Sequence, residues 1–240
     1  FIFSGNNATN RDICPGKPCY DDRVQFFLSS IWINTDLNMD IIHRPLYAPD
    51  LLVNALNQDS RRPLLNILGG DSLTVGDVRD ATSQFCQALQ SLGLTKGSRI
   101  GLLSSNRPEV LLVANAIQIM AAIYVPMHPL GGFNDHLHVV TDAKVDVLIF
   151  DAERYSERAS TLAAQAPGLQ LLSFGENTFA PDLVQLARDF SPSPLVAPVV
   201  DGNDILRLGY SGGTTGKPKA LASVQRTGMA TISIMMAEWE

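Results

Sequence analysis

An α/β fold, with a mainly parallel sheet flanked by helices, is predicted by three observations. Short apolar runs, continuous over residues 100–103 and broken only by Asp146 over 145–150, lack the alternation of a one-sided sheet and suit strands covered on both faces. Segments with apolar residues three and four apart separate these runs. Helices placed regularly between strands are what parallel crossovers require.

Each element follows from its own residues. Thr74 is suited to N-cap a helix, with Asp77 three residues on. Val78, Ala81, Phe85, Ala88, Leu89 and Leu92 then form its apolar face, and Gly93 stops it. Residues 100–103 form a strand. Asn106 is expected to cap the next helix, with Pro108 in the first turn and Val110, Val113, Ala114, Ile117 and Ala121 along one side. Residues 123–127 read as a strand, 134–143 as a short helix and 145–150 as a strand. Helices over 155–166 and 183–190 enclose a strand over 169–174, and Ser191-Pro192-Ser193-Pro194 breaks the pattern. Asp204 begins a further strand. Residues 1–44 mix Asn, Asp and Pro turns with short apolar runs such as 24–28 and form a separate N-terminal segment.

Composition narrows the function classes. The chain has 240 residues, 45% of them hydrophobic, enough to bury a sizeable core as one domain or part of a larger one. With 18 basic and 24 acidic residues the net charge is −6, without a basic block, which argues against nucleic acid as a partner. Residues 110–133 carry no charged side chain, but Asn115, Gln118, Pro126, His128 and Pro129 interrupt them. They read as a buried helix and strand, with no transmembrane segment. Of three cysteines, Cys86 lies in a helix without a visible His partner. Cys14 and Cys19 are close enough for a short disulfide, with free thiols in a reducing, cytoplasmic setting the favoured reading. His128 reads as a turn residue. His136 and His138, two apart, do not share a helix face and do not suggest a metal site. Glu153, Arg154, Glu157 and Arg158 read as a solvated charged face.

The chemistry is concentrated in Tyr210-Ser211-Gly212-Gly213-Thr214-Thr215-Gly216-Lys217-Pro218-Lys219-Ala220, directly after the strand-like run 205–209. Glycines let backbone N–H groups converge, hydroxyls add short donors and lysines add mobile positive charge, a set suited to polyphosphate. The Walker A pattern fails twice: Ser211 stands where its opening Gly belongs, and Pro218 replaces the hydroxyl residue after Gly216-Lys217. The dinucleotide fingerprint G-x-G-x-x-G fails because Gly212 and Gly213 are adjacent.

The loop resembles the phosphate-binding signature of the adenylate-forming enzymes, the superfamily of acyl-CoA synthetases, luciferases and peptide-synthetase adenylation domains. Tyr210, Gly213, Thr214, Thr215, Gly216, Pro218 and Lys219 match Tyr-Thr-Ser-Gly-Thr-Thr-Gly-x-Pro-Lys-Gly in register. Ser211 replaces Thr, Gly212 replaces Ser and Ala220 replaces the last Gly. Upstream, Leu73-Thr74-Val75-Gly76-Asp77, Lys96-Gly97-Ser98-Arg99-Ile100-Gly101 and Ile123-Tyr124-Val125-Pro126-Met127-His128-Pro129 are similar to further family motifs. Glu238-Trp239-Glu240 is similar to one branch of bacterial fatty-acyl-CoA ligases.

The resemblance implies ATP-dependent activation of a carboxylic acid, most like a fatty acid, to an acyl-adenylate, then thioester formation with coenzyme A. An adenylation module loading a carrier-protein thiol and a non-catalytic ATP-binding relic are the alternatives. It implies that Ser211, Gly212, Gly213, Thr214, Thr215 and Gly216 cradle the β- and γ-phosphates, that Lys219 makes the catalytic charge contact, and that Thr214 approaches a phosphate-bound Mg²⁺. Lys217, at the variable position, reads as a solvated lysine. The family's later Tyr-Gly-x-Thr-Glu and Thr-Gly-Asp motifs and late catalytic Lys do not occur here. Residues 45–240 are therefore expected to be the N-terminal part of an adenylating domain, inactive alone.

Overall fold

The computed structural model describes residues 45–67, 70–211 and 217–238. The readings made on residues 1–44, including Cys14 and Cys19, and on Gly212, Gly213, Thr214, Thr215 and Gly216 lie outside the described residues.

Seven described helices and eight strands alternate along the chain. The first are α1 (Ala48–Leu56), β1 (Pro63–Asn66), β2 (Ser72–Thr74), α2 (Val75–Ser91), β3 (Arg99–Leu103), α3 (Pro108–Ile119) and β4 (Ile123–Pro126). They continue as α4 (Phe133–Asp142), β5 (Val147–Asp151), α5 (Ala152–Gln165), β6 (Gln170–Phe174) and α6 (Leu183–Arg188). The last are β7 (Ile205–Ser211), β8 (Lys219–Val224) and α7 (Gln225–Glu238). A small antiparallel hairpin, β1–β2, stands apart from a six-stranded sheet of order β6-β5-β3-β4-β7-β8. Its first five strands are parallel, and β8 alone runs antiparallel, at the edge beside β7.

Alternation along the strands divides the core. Ile100, Leu102, Val147, Ile149, Leu172 and Phe174 pack on one face with α2, α3 and α6. Ile123, Val125, Leu148, Phe150 and Leu208 pack on the other with α4 and α5. Strands covered on both faces account for their continuous apolar runs.

The helix starts follow local chemistry. Asp77 donates its backbone N–H to the Thr74 hydroxyl at 3.2 Å, and its carboxylate accepts the Thr74 N–H at 2.8 Å. That reciprocal cap, the Thr74 N–H bond first, holds the Asp77 carboxyl below its ordinary range. Asn106 does not cap α3. Arg107 takes the N-cap position in extended backbone and Pro108 the first turn, because the residue before a proline is driven out of the helical region.

The apolar faces are broader than the single stripes expected. Leu112, Val113, Asn115, Ala116 and Ile117 are all buried in α3, since α1 and α2 pack around it, whereas Ala121 lies past its end. Leu92 is the C-cap of α2 and stays exposed. On α2's polar side, the Ser83 hydroxyl donates to the Ser193 carbonyl at 2.8 Å and accepts the Ser193 N–H at 2.8 Å. Gln84 and Gln87 donate to the carbonyls of Phe190 and Ser191, so the Ser-Pro breaker is laced along the helix.

Candidate functional site

Because β3, β4, β5, β6 and β7 are parallel, the segments that follow them leave the sheet at one edge, the usual place for ligands in such sheets. β7 ends there at Tyr210 and Ser211. β8 returns beside it with Ser211 opposite Lys219 and Tyr210 opposite Ala220. The glycine- and hydroxyl-rich segment therefore joins two paired antiparallel strands, whereas a Walker loop leads from strand into helix. Directly opposed residues send their side chains to the same face, so Ser211 and Lys219 share one side of this ribbon, both exposed. Ala220 sits in ordinary strand backbone, where no glycine is needed. Neither Lys217 nor Lys219 has an ion-pair partner among the described residues.

Beside the ribbon lies a cavity of about 550 Å³ lined by His128, Gly131, His136, Arg207, Tyr210, Ser211 and Pro218, among others. The turn after β4 forms one wall. His128 Nδ1 accepts the Leu130 N–H at 3.1 Å, in keeping with a turn histidine. His136, only 2% exposed, lies behind that turn. Its Nδ1 accepts from the Arg158 guanidinium at 2.9 Å, which leaves Nε2 to donate to the His128 carbonyl at 2.8 Å. Burial, followed by the opposing His128 hydrogen bond and then Arg158's charge, leaves the imidazole below its ordinary value and neutral. Gly131 approaches the ring so closely that a β-carbon would lie 2.6 Å from His136 Nε2.

Arg158 corrects the reading of a solvated charged face. It turns inward to His136 and to the Gly131 carbonyl at 3.2 Å, with its guanidinium 5.8 Å from the centre of the Phe133 ring. Glu153, Arg154 and Glu157 do stay exposed.

The opposite wall is held by α4. Tyr210 Oη donates to Asp142 at 2.7 Å, and His138 Nε2 lies 2.8 Å from the Pro218 carbonyl. Burial first, and then the neighbouring carboxylate, push the Tyr210 phenol well above its ordinary value.

A second polar cluster occupies the crevice between β3 and β5, where the connections from the two strands diverge. Arg107 donates to both oxygens of Glu109 at 3.2 Å and to Asp151 at 3.2 Å. Asp151, buried at the end of β5, also accepts from Ser105 and from the Glu153 N–H that starts α5. Burial raises the Glu109 carboxyl, but its bonds to Arg107 outweigh that and leave it lowered. Asn106 and Pro108 mark a helix start in the sequence, but nothing local signals this cluster, since the Asp151 partner of Arg107 is 44 residues away. Cys86 is buried, and burial pushes its thiol up to about 12, which removes it as a nucleophile. No group of His, Cys, Asp and Glu able to hold a metal occurs among the described residues, nor any helix long and apolar enough to cross a membrane.

Known proteins resemble this chain in sequence and in fold. A medium/long-chain fatty-acid–CoA ligase of Mycobacterium tuberculosis is 38% identical over 212 residues, covering 85% of this chain and 37% of the relative. A 3-hydroxybenzoate–CoA/4-hydroxybenzoate–CoA ligase of Thauera aromatica is 28% identical over 192 residues, covering 75% of this chain and 36% of the relative. The chain thus spans a little over a third of the length of these curated relatives. The crystal structure of the anthranilate CoA ligase AuaEII with anthranoyl-AMP superposes with a TM-score of 0.69 at 25% identity, covering 78% of this chain and 37% of that one. Residues 53–238 match the AMP-binding enzyme family, and the chain belongs to that family.

Proposed function

We propose that this chain supplies the pyrophosphate side of an active site that activates a medium- or long-chain fatty acid with ATP and passes the acyl group to coenzyme A. The observation that carries the reading is the ribbon at the carboxyl edge of the sheet, with Lys219 opposite Ser211 at the root of the glycine- and hydroxyl-rich segment. A fatty acid as substrate, and coenzyme A as thiol, are supported by the 38% identical mycobacterial ligase, which is named for both.

In the first step a carboxylate oxygen bonds to the α-phosphorus of ATP while the bond to the β-phosphate oxygen breaks, and pyrophosphate departs with the electron pair. One anion approaches another, so the barrier falls mainly through neutralisation and positioning. Backbone N–H groups of Gly212, Gly213, Thr214, Thr215 and Gly216, with the Ser211, Thr214 and Thr215 hydroxyls, hold the departing phosphates. Lys219 neutralises their charge. Thr214 would stand beside a Mg²⁺ ion brought with the nucleotide, and that ion would supply further positive charge to the departing phosphates. In the second step the thiol sulfur, its proton lost, bonds to the acyl carbon, and AMP leaves with the electrons of the acyl–oxygen bond.

The two lysines separate this reading from a merely basic loop. Calorimetric titration of Mg·ATP into the 240-residue chain should show Lys219→Ala weakening binding about tenfold or more, the scale of a lost charge-assisted contact, while Lys217→Ala stays within about twofold. Equal losses in the two variants would overturn the role given to Lys219.

A further inference from the structure

We propose that His138 and Asp142, one turn apart on α4, are positioning residues for the phosphate-binding ribbon. The inference rests on the reading above that this ribbon binds pyrophosphate.

A cradle of backbone N–H groups works only if the chain at both its ends is held in place, because glycines supply no side chain to fix it and retain wide backbone freedom. Strand pairing fixes the two ends against each other, through Tyr210 with Ala220 and Ser211 with Lys219. It does not fix the ribbon against the other cavity wall. Two side chains of α4 do so, one for each end.

Asp142 accepts the Tyr210 phenol proton at 2.7 Å, immediately before the segment. His138 meets the Pro218 carbonyl at 2.8 Å, immediately after it. A carbonyl only accepts, so His138 Nε2 carries the proton and donates. Residues four apart lie on one helix face, which is what lets a single short helix reach both strands. The His138 and Tyr210 rings also meet edge to face, with centroids 6.1 Å apart. Pro218 has no N–H of its own, so the His138 contact is made through its carbonyl.

The helix is itself restrained. Its first turn is capped by Asp135, whose carboxylate accepts the Gly132 N–H at 3.2 Å. His136, on its buried side, ties it to the wall after β4 and to Arg158 of α5. α4 therefore braces the two walls of the cavity through different side chains: His136 to the turn, His138 and Asp142 to the ribbon. His138 acts here through the Pro218 carbonyl and needs no contact with substrate.

Titration calorimetry with Mg·pyrophosphate, paired with thermal melts of the same samples, tests this on the 240-residue chain. His138→Leu and Asp142→Ala should each weaken binding about tenfold, the scale of one lost hydrogen bond to a site that must stay ordered, with melting temperatures close to wild type. Tyr210→Phe should match Asp142→Ala, and the two together should cost no more than either alone. His138→Gln retains an N–H donor and should recover most of the affinity lost in His138→Leu. Wild-type affinity in every variant would overturn the positioning role while leaving the ribbon as the phosphate site. Failure of the wild-type chain to bind pyrophosphate would overturn the underlying reading as well.

Discussion

His136 is held neutral by its surroundings, and this has a measurable consequence. Its imidazole is buried, accepts from the permanently charged Arg158 and donates to the His128 carbonyl. Burial dominates and lowers the value from 6.5; the hydrogen bond to the His128 carbonyl and the Asp135 charge favour a proton, and the Arg158 and His128 charges oppose one. A lowered histidine takes up fewer protons folded than unfolded, so its stabilising contribution is complete above pH 6.5 and is lost as pH falls below it. The melting temperature of wild type relative to His136→Gln should therefore drop on acidification below that point; a difference that is flat with pH would contradict the assignment. None of this was legible in the sequence. His136 and Arg158 are 22 residues apart, and the i,i+4 charge pattern around Arg158 is the one a solvated helix face also shows. Thr74 with Asp77, by contrast, is a cap written within four consecutive residues, and it formed as read.

The helix ends illustrate the same division among elements. α2 closes with Gly93 at φ +83°, its N–H bonded to the Gln90 carbonyl and the Leu94 N–H to the Leu89 carbonyl. That end was legible because glycine announces it. α3 and α4 close through the same pair of bonds, but with Ala121 at φ +52° and Lys144 at φ +50° in the left-handed position. Neither residue signals such an end, and each bears the steric cost of its β-carbon. Lys144, exposed and without an ion pair among the described residues, is the place to relieve it. Lys144→Gly should stabilise by about 0.5–1 kcal/mol and Gly93→Ala should destabilise by about 1 kcal/mol, read from urea unfolding midpoints. Stabilisation by Gly93→Ala would contradict the account. The elements missed from sequence were α1, the β1–β2 hairpin, β8 and α7. α7 buries only Gln225 of its described residues, and most of β8 is exposed, so neither shows the apolar period that marks a core element.

At the scale of the whole molecule the parallel sheet was legible because burial on both faces is a property of composition along each strand. The order of the strands was not, since it is fixed by contacts between distant segments. That order places the two flanks of the phosphate-loop motif, Tyr210–Ser211 and Lys219–Ala220, in a ribbon at the carboxyl edge, opposite a cavity wall made by the turn after β4, with α4 bridging the two. The motif carries the proposed chemistry, and the topology sets the surroundings of its two flanks. Family membership follows from residues 53–238, while the pyrophosphate role of the ribbon is the central claim still to be tested on this chain. An amide-resolved NMR titration with Mg·pyrophosphate tests it most directly. The account predicts saturable shifts concentrated in the backbone amides of residues 211–217 and 219, with the crevice cluster around Arg107 and Asp151 unaffected. Shifts centred on that cluster, or none that saturate, would contradict it.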